Sequence, residues 1–370
     1  MESVSNCNRQ IENLQEKIKF LYHADKYDLT IKQCISLLEY EPNDYNGLYY
    51  MAISYENLKL LDKAITIALY LAEKNPDMGQ PYQICAHIYI NLKDYKKAVE
   101  YARKAIELDP YYGESYYTLS FALDKLGGEE NIKKAVKLID KAMEIEPENS
   151  VYHMHACGLY YDIGECYRAK QEGKKAIEID VEHAGAYLNY GCVLIGLGEL
   201  HESLECFYEA LKLNPNYKVP LDNIKVVKEY IENPKKYYKA LEKKFFENDL
   251  KINSDSESFI ILAKIYIENE DYKSAYEVFM KYFNINSHAI ERHLKYIGMF
   301  YEKDAFSEVK LYLKALREKN PHEKEIVRYI KEVDKTIRKL KIEKIKEKIE
   351  SVLIDKMTCL EVWGSSGNSK

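Results

Sequence analysis

A short phrase returns along this chain at a near-constant interval, and no other feature constrains the fold as strongly. It reads Glu-Tyr-Glu-Pro up to Pro42, Glu-Lys-Asn-Pro up to Pro76, Glu-Leu-Asp-Pro up to Pro110 and Glu-Ile-Glu-Pro up to Pro147. It continues as Glu-Ile-Asp-Val to Val181 and Lys-Leu-Asn-Pro to Pro215, so the closing residues stand 34, 34, 37, 34 and 34 apart. Asn-Ile-Asn-Ser then ends at Ser287 and Glu-Lys-Asn-Pro at Pro321, again 34 apart. The interval from 215 to 287 holds two periods and four extra residues. A fixed period of this size marks a supersecondary unit that stacks on copies of itself. Six units fill 11–217 (11–44, 45–78, 79–112, 113–149, 150–183 and 184–217), a degenerate one fills 218–255, and two more fill 256–323. Residues 1–10 form an N-terminal segment, 324–358 a basic capping helix and 359–370 a disordered tail.

Within a unit, apolar residues recur at helical spacing twice, and the proline or its substitute follows the second run. Small residues fall where two helices must approach closely. The eighth place holds Ala52, Ala86, Ser120, Cys157, Gly191 or Ala263. Twelve residues before the closing one stand Ala64, Ala98, Ala135, Ala169, Ser203 and Ala275. A larger side chain at either place would splay the pair. The eleventh place is bulky: Tyr55, Tyr89, Leu123, Tyr160, Leu194, Tyr266 and Phe300. In period, small residues, bulky residue and closing proline the chain resembles the tetratricopeptide repeat (TPR) family. The resemblance implies an all-α fold, a right-handed solenoid of antiparallel helix pairs, with a long C-terminal helix.

Three departures carry expectations of their own. Unit one has Ile18 and Thr30 at its small places, as suits a cap with one open face. Unit four carries three extra residues near Gly127-Gly128-Glu129-Glu130, which predicts a longer, protruding acidic turn between its helices. Unit seven has Lys225 at a small place and Pro220 and Pro234 punctuating its helices, which predicts a bend or hinge between units one to six and units eight and nine. Past Pro321, Ile326, Ile330, Val333, Ile337 and Leu340 form one apolar seam, which then shifts phase to Ile345, Ile349 and Val352. A cap on the last repeat is the reading preferred; a homodimer through this helix is the alternative, opposed by the phase shift.

Composition and motifs exclude several functions. Lys and Arg number 54 against 60 Asp and Glu, and a net charge of −6 gives no electrostatic reason to expect nucleic acid. The polar start Met1–Asn6 predicts no secretory leader, and no apolar run is long enough for a membrane span. Eight cysteines without a CxxC pair predict reduced thiols and a cytoplasmic location. No phosphate-binding glycine loop, HExxH or GxSxG occurs, so neither a cofactor nor catalytic residues are expected. His153, His155, Cys157, Cys166 and His183 are zinc-ligand types, but His155 falls off the helical face shared by His153 and Cys157. Core packing is therefore expected there, and no metal.

What remains is a surface. In the TPR family the first helices of successive units line a concave groove that holds a partner segment. The resemblance places Tyr49 and Ile53, Gln83 and His87, Tyr117 and Phe121, Met154 and Tyr161, and Leu188 in that groove. Tyr, Phe and Met offer large contact area at low entropic cost. Glu56, Glu114, Asp124 and Asp162 nearby add negative potential. The expected partner is a protein or peptide segment with apolar anchors and some positive charge. A TPR subset clamps the carboxylate terminus of chaperones with Lys, Arg and Asn. Here the matching places hold Tyr49, Ile53, Ile84, Glu114 and Thr118, which lack that chemistry. The chain is thus read as a non-enzymatic scaffold or adaptor. A regulatory receptor for an intracellular signalling peptide is the alternative, although the repeats leave little room for an effector domain before them. Service to a separate glycosyltransferase or secretion enzyme is a third.

Overall fold

The computed structural model describes residues 2–241, 258–285, 293, 296–300, 303, 305–320, 324, 326–328, 330–336, 338 and 339. They fold as an all-α helical solenoid, with no strand among the described residues. The chain divides into two compact units after Pro234.

The first unit is a series of helix pairs: α1 (Glu2–His23) with α2 (Tyr27–Tyr40), α3 (Tyr45–Asn57) with α4 (Leu61–Lys74), and α5 (Gly79–Asn91) with α6 (Tyr95–Leu108). Next come α7 (Gly113–Leu126) with α8 (Glu129–Ile145), α9 (Ser150–Asp162) with α10 (Cys166–Ile179), and α11 (Ala184–Leu197) with α12 (Leu200–Leu213). A single helix, α13 (Lys218–Glu232), follows. The pairs match the six sequence repeats, but α1 starts at Glu2, so most of the segment 1–10 is part of the first helix.

The small residues sit where the packing argument requires them. Ala52, Ala64, Ala86, Ala98, Ser120, Ala135, Cys157, Ala169 and Ser203 are fully buried. A Cβ on Gly191 would stand 2.6 Å from the ring of Phe207, so only glycine admits that ring. The second helices end at closing phrases whose proline cannot continue the helix. In two of them an asparagine side chain also donates to the last turn, Asn75 to the Leu71 carbonyl at 2.9 Å and Asn320 to that of Leu316 at 3.2 Å. First helices open on acceptors such as Asp44, which takes the Gly47 amide at 2.6 Å.

The turn of unit four holds two residues of positive φ, Gly127 and Gly128, and every turn inside a pair has one at the same repeat place. It is Asp25, Lys59, Lys93, Gly127, Gly164, Gly198 and, in the second unit, Glu270, with φ between 55° and 86°. Four of the seven are not glycine and hold a conformation that L-residues disfavour. Unit four corrects the expected long acidic loop. Only Gly127 and Gly128 separate its helices, and the extra residues lengthen α8 to 17 residues against 14 in α4 and α6. Glu129 and Glu130 are then in helical register with Lys133 and Lys134, paired at 2.5 and 3.0 Å.

In the second unit residues 235–241 are helical, followed by α14 (Ser258–Glu268), α15 (Tyr272–Ile285) and α16 (Phe306–Lys319). Phe279, Phe300 and Tyr312 are fully buried, and Phe279 stacks on Tyr296 at 4.9 Å. In the C-terminal seam Ile326 and Val333 are 0% and 2% exposed, and Lys310 pairs with Asp334 at 2.8 Å. This part of the helix caps its own chain, so these two residues are not free to meet a second copy. Ile337, Leu340, the rest of the seam, the tail and residues 242–257 of the degenerate unit lie outside the described residues.

Candidate functional site

In the first unit, successive first helices touch each other, α1 to α3, α3 to α5, α5 to α7, α7 to α9, α9 to α11 and α11 to α13. The second helices pack instead on the first helix of the next unit. The row with the closer spacing lies on the inside of the curve, so the first helices form the inner face. Two cavities open on it.

The front cavity has a volume of about 480 Å³ and takes its walls from α1, α3, α5, α7 and α9. Four of the residues singled out from sequence, Tyr49, Ile53, Gln83 and His87, line it together with Glu56 and Glu114. Glu56 is 8% exposed; its Oε1 meets His87 Nδ1 at 2.7 Å and accepts from Asn91 Nδ2 at 2.5 Å. That contact raises the His87 imidazole above its ordinary value, against the opposing effect of burial. Across the cavity the fully buried Tyr152 donates its hydroxyl to Glu114 Oε2 at 3.1 Å and Glu146 Oε2 at 3.3 Å. Burial raises the Glu114 carboxyl, and the His87 charge only partly offsets this. Tyr22, Asn57, Lys59, Asn91, Tyr112, Glu146 and Tyr152 complete the wall and were not foreseen. Asn57 and Asn91 share one repeat place, one residue past Glu56 and Ile90. Extending the groove face by that place would have found them. Glu146 comes from a closing phrase and Tyr112 follows another by two residues.

The rear cavity is smaller, about 210 Å³, and lies over α7, α9 and α11. Tyr117, Phe121 and Met154 line it with Asp124, His155 and Asn189. Tyr117 stacks on Tyr152 at 5.3 Å and meets His155 edge-on at 5.5 Å. His155 is 9% exposed and contacts Ser120 Oγ at 3.2 Å; burial pushes it down to about 4, so the ring is neutral near pH 7. Lys125 lies over the Phe121 face at 4.9 Å.

The last two groove candidates line neither cavity. Tyr161 packs over Gly196, where an added Cβ would lie 2.5 Å from its ring. Leu188 is 9% exposed and belongs to a core cluster with Phe207, Ile224 and Val227. It is a packing residue, because α13 covers the place that a groove residue would occupy. His153, 4% exposed, is held by Glu172 at 2.6 Å and the Pro147 carbonyl at 2.8 Å. Among the described residues no group of three His, Cys, Asp or Glu side chains is placed to hold a metal.

The tetratricopeptide repeat profile matches residues 80–112, 184–217 and 256–288, in register with the third, sixth and eighth units. The chain contains tetratricopeptide repeats. A TPR repeat-containing protein of Methanocaldococcus jannaschii is 27% identical over 276 residues, 72% of this chain and 47% of the relative. The tetratricopeptide repeat-containing protein trd-1 of Caenorhabditis elegans is 21% identical over 196 residues, 53% of this chain and 24% of its own. The match thus spans less than half the length of either relative. A solved tetratricopeptide repeat protein from Parabacteroides merdae is similar at 17% identity and TM-score 0.48, over 59% of this chain and 84% of that one. TPR proteins generally mediate protein–protein interactions. No helix among the described residues is long and apolar enough to cross a membrane.

Proposed function

We propose that the chain is a non-enzymatic adaptor that docks a protein or peptide segment along the inner row of first helices. The observation that carries this reading is the pair of cavities on one face, walled by half-buried aromatic side chains. Helix packing needs small residues at the eighth place and bulky ones at the eleventh; it does not need Tyr49, Tyr117, Phe121 or Met154, which project from neither. Aromatic and thioether side chains that remain partly open anchor a partner with little loss of rotamer freedom. Carboxylates between them select for positive charge and against acidic termini. Among the described residues lining the two cavities no nucleophile has an orienting base, and the neutral His155 is engaged with Ser120.

The test is an affinity capture from native extract with the wild type beside a Tyr49/Tyr117/Phe121 triple alanine variant whose circular dichroism and melting are checked. The expected result is a protein retained by the wild type and lost from the variant, a segment of which then binds the wild type stoichiometrically in calorimetry. If captured proteins are the same for both, the groove is not the docking face.

A further inference from the structure

The front cavity contains acceptors in excess of what the chain itself uses. Glu56 is committed to His87 and Asn91. Glu114 and Glu146 share one neutral donor, the Tyr152 hydroxyl, and Glu146 also takes the Asn149 side-chain amide at 3.3 Å. Neither has a Lys or Arg nitrogen within 4 Å among the described residues, although Lys59 lies elsewhere on the same wall. Two ionised carboxylates that both reach one oxygen repel each other, and a shared cation removes that repulsion. A second, independent feature is Gln83. The residue is 7% exposed, lines this cavity and makes no side-chain hydrogen bond to a described residue; its amide is not among the fully buried unpaired groups, so it opens on the cavity. An amide that opens on the cavity with no partner in the chain offers its carbonyl oxygen and its amino group to an occupant. Tyr22, Tyr49 and Tyr112 complete a wall of aromatic surface.

We infer that the front cavity is a subsite for one arginine side chain of the docked segment, its guanidinium bridging Glu114 and Glu146, donating to the Gln83 carbonyl oxygen and lying against tyrosine. Arginine fits better than lysine because its planar fork serves several acceptors at once and stacks on rings, whereas an ammonium is a more strongly hydrated point charge. This assignment deepens the adaptor reading and rests on it.

The test uses an array of immobilised 12-residue peptides, each with two aromatic or Leu anchors and with Arg, Lys, citrulline or Glu at a scanned position. Wild type, a Glu114→Gln/Glu146→Gln variant and a Tyr117→Ala/Phe121→Ala variant are compared, each with its melting checked. The expected result is a set of arginine peptides bound by the wild type and weakened at least tenfold by citrulline. The Glu114→Gln/Glu146→Gln variant should lose that preference, binding the arginine and citrulline forms alike. Peptides bound equally with arginine and citrulline, and still lost from the Tyr117→Ala/Phe121→Ala variant, would overturn the arginine subsite and leave the adaptor reading standing. No peptide bound by the wild type would overturn both. Spermidine is titrated in parallel, and stoichiometric binding of spermidine without any peptide would make the cavity a polyamine site instead.

Discussion

The front and rear of the inner groove are built on the same repeat yet differ in chemistry. At the front, five first helices meet around three carboxylates, a glutamine amide and a histidine held by Glu56. Toward the rear the same helical face closes: Tyr117, Phe121 and His155 pack on one another, Tyr161 lies over Gly196, and Leu188 joins the core. The difference shows that the repeat sets where side chains project and not whether they stay open. Openness depends on what the neighbouring unit brings. Opposite Gln83 the next unit brings Glu114 and Glu146; beside Leu188 the next unit brings Ile224 and Val227.

The sharpest way to break this contrast is Leu188→Ala. As a buried core residue it should cost about 2–5 kcal/mol of stability, read by urea melting. A loss below about 1 kcal/mol would return Leu188 to the groove surface. Ala98→Leu tests the scaffold that both regions share. Overpacking at this fully buried place should cost roughly 1–3 kcal/mol in the same assay. Tyr117→Ala should cost less stability than either while weakening partner binding. If it unfolds the protein as severely as Leu188→Ala, the rear cavity is a packing defect and not a docking surface.

Two smaller effects sharpen the front. The His87 imidazole is raised mainly by Glu56, so its contribution is fully present below the unfolded value of about 6.5 and fades as pH rises through the folded one. The stability gap between wild type and Glu56→Gln should therefore be larger at pH 6 than at pH 8. A gap independent of pH would mean that the pair does not form in solution. Lys93→Gly relieves a left-handed lysine that is exposed and sits where Gly164 and Gly198 sit in later units. It should stabilise by about 1 kcal/mol or less, a rise of a few degrees at most in thermal melting.

The scaffold was legible because its determinants repeat. Ala52, Ala86 and Ala64 gain meaning only when read 34 residues from their counterparts, and each is buried as that reading requires. Part of the front cavity was legible for the same reason, since Tyr49, Ile53, Gln83 and His87 fall at groove places of successive units. Its decisive members were not. Glu146 belongs to a closing phrase and Tyr112 follows one by two residues, and they reach the inner face because the end of a second helix returns beside the start of a first. Tyr152 occupies a packing place and acts at the site through its hydroxyl alone. Unit four misled for a different reason. A count of extra residues fixes length but not location, and a helix absorbs a turn at its end more cheaply than a loop extends into water.

One feature of the front cavity reaches beyond its chemistry. Its walls come from five successive first helices, so the cavity as a whole extends across four joints between neighbouring repeats. Small angular settings at those joints add along the row, and the distance from Tyr22 to Tyr152 registers their sum. The cavity therefore works as a gauge of curvature. On the docking reading proposed above, a segment that filled it would fix the pitch of the first unit, and a change of pitch elsewhere in that unit would alter the fit.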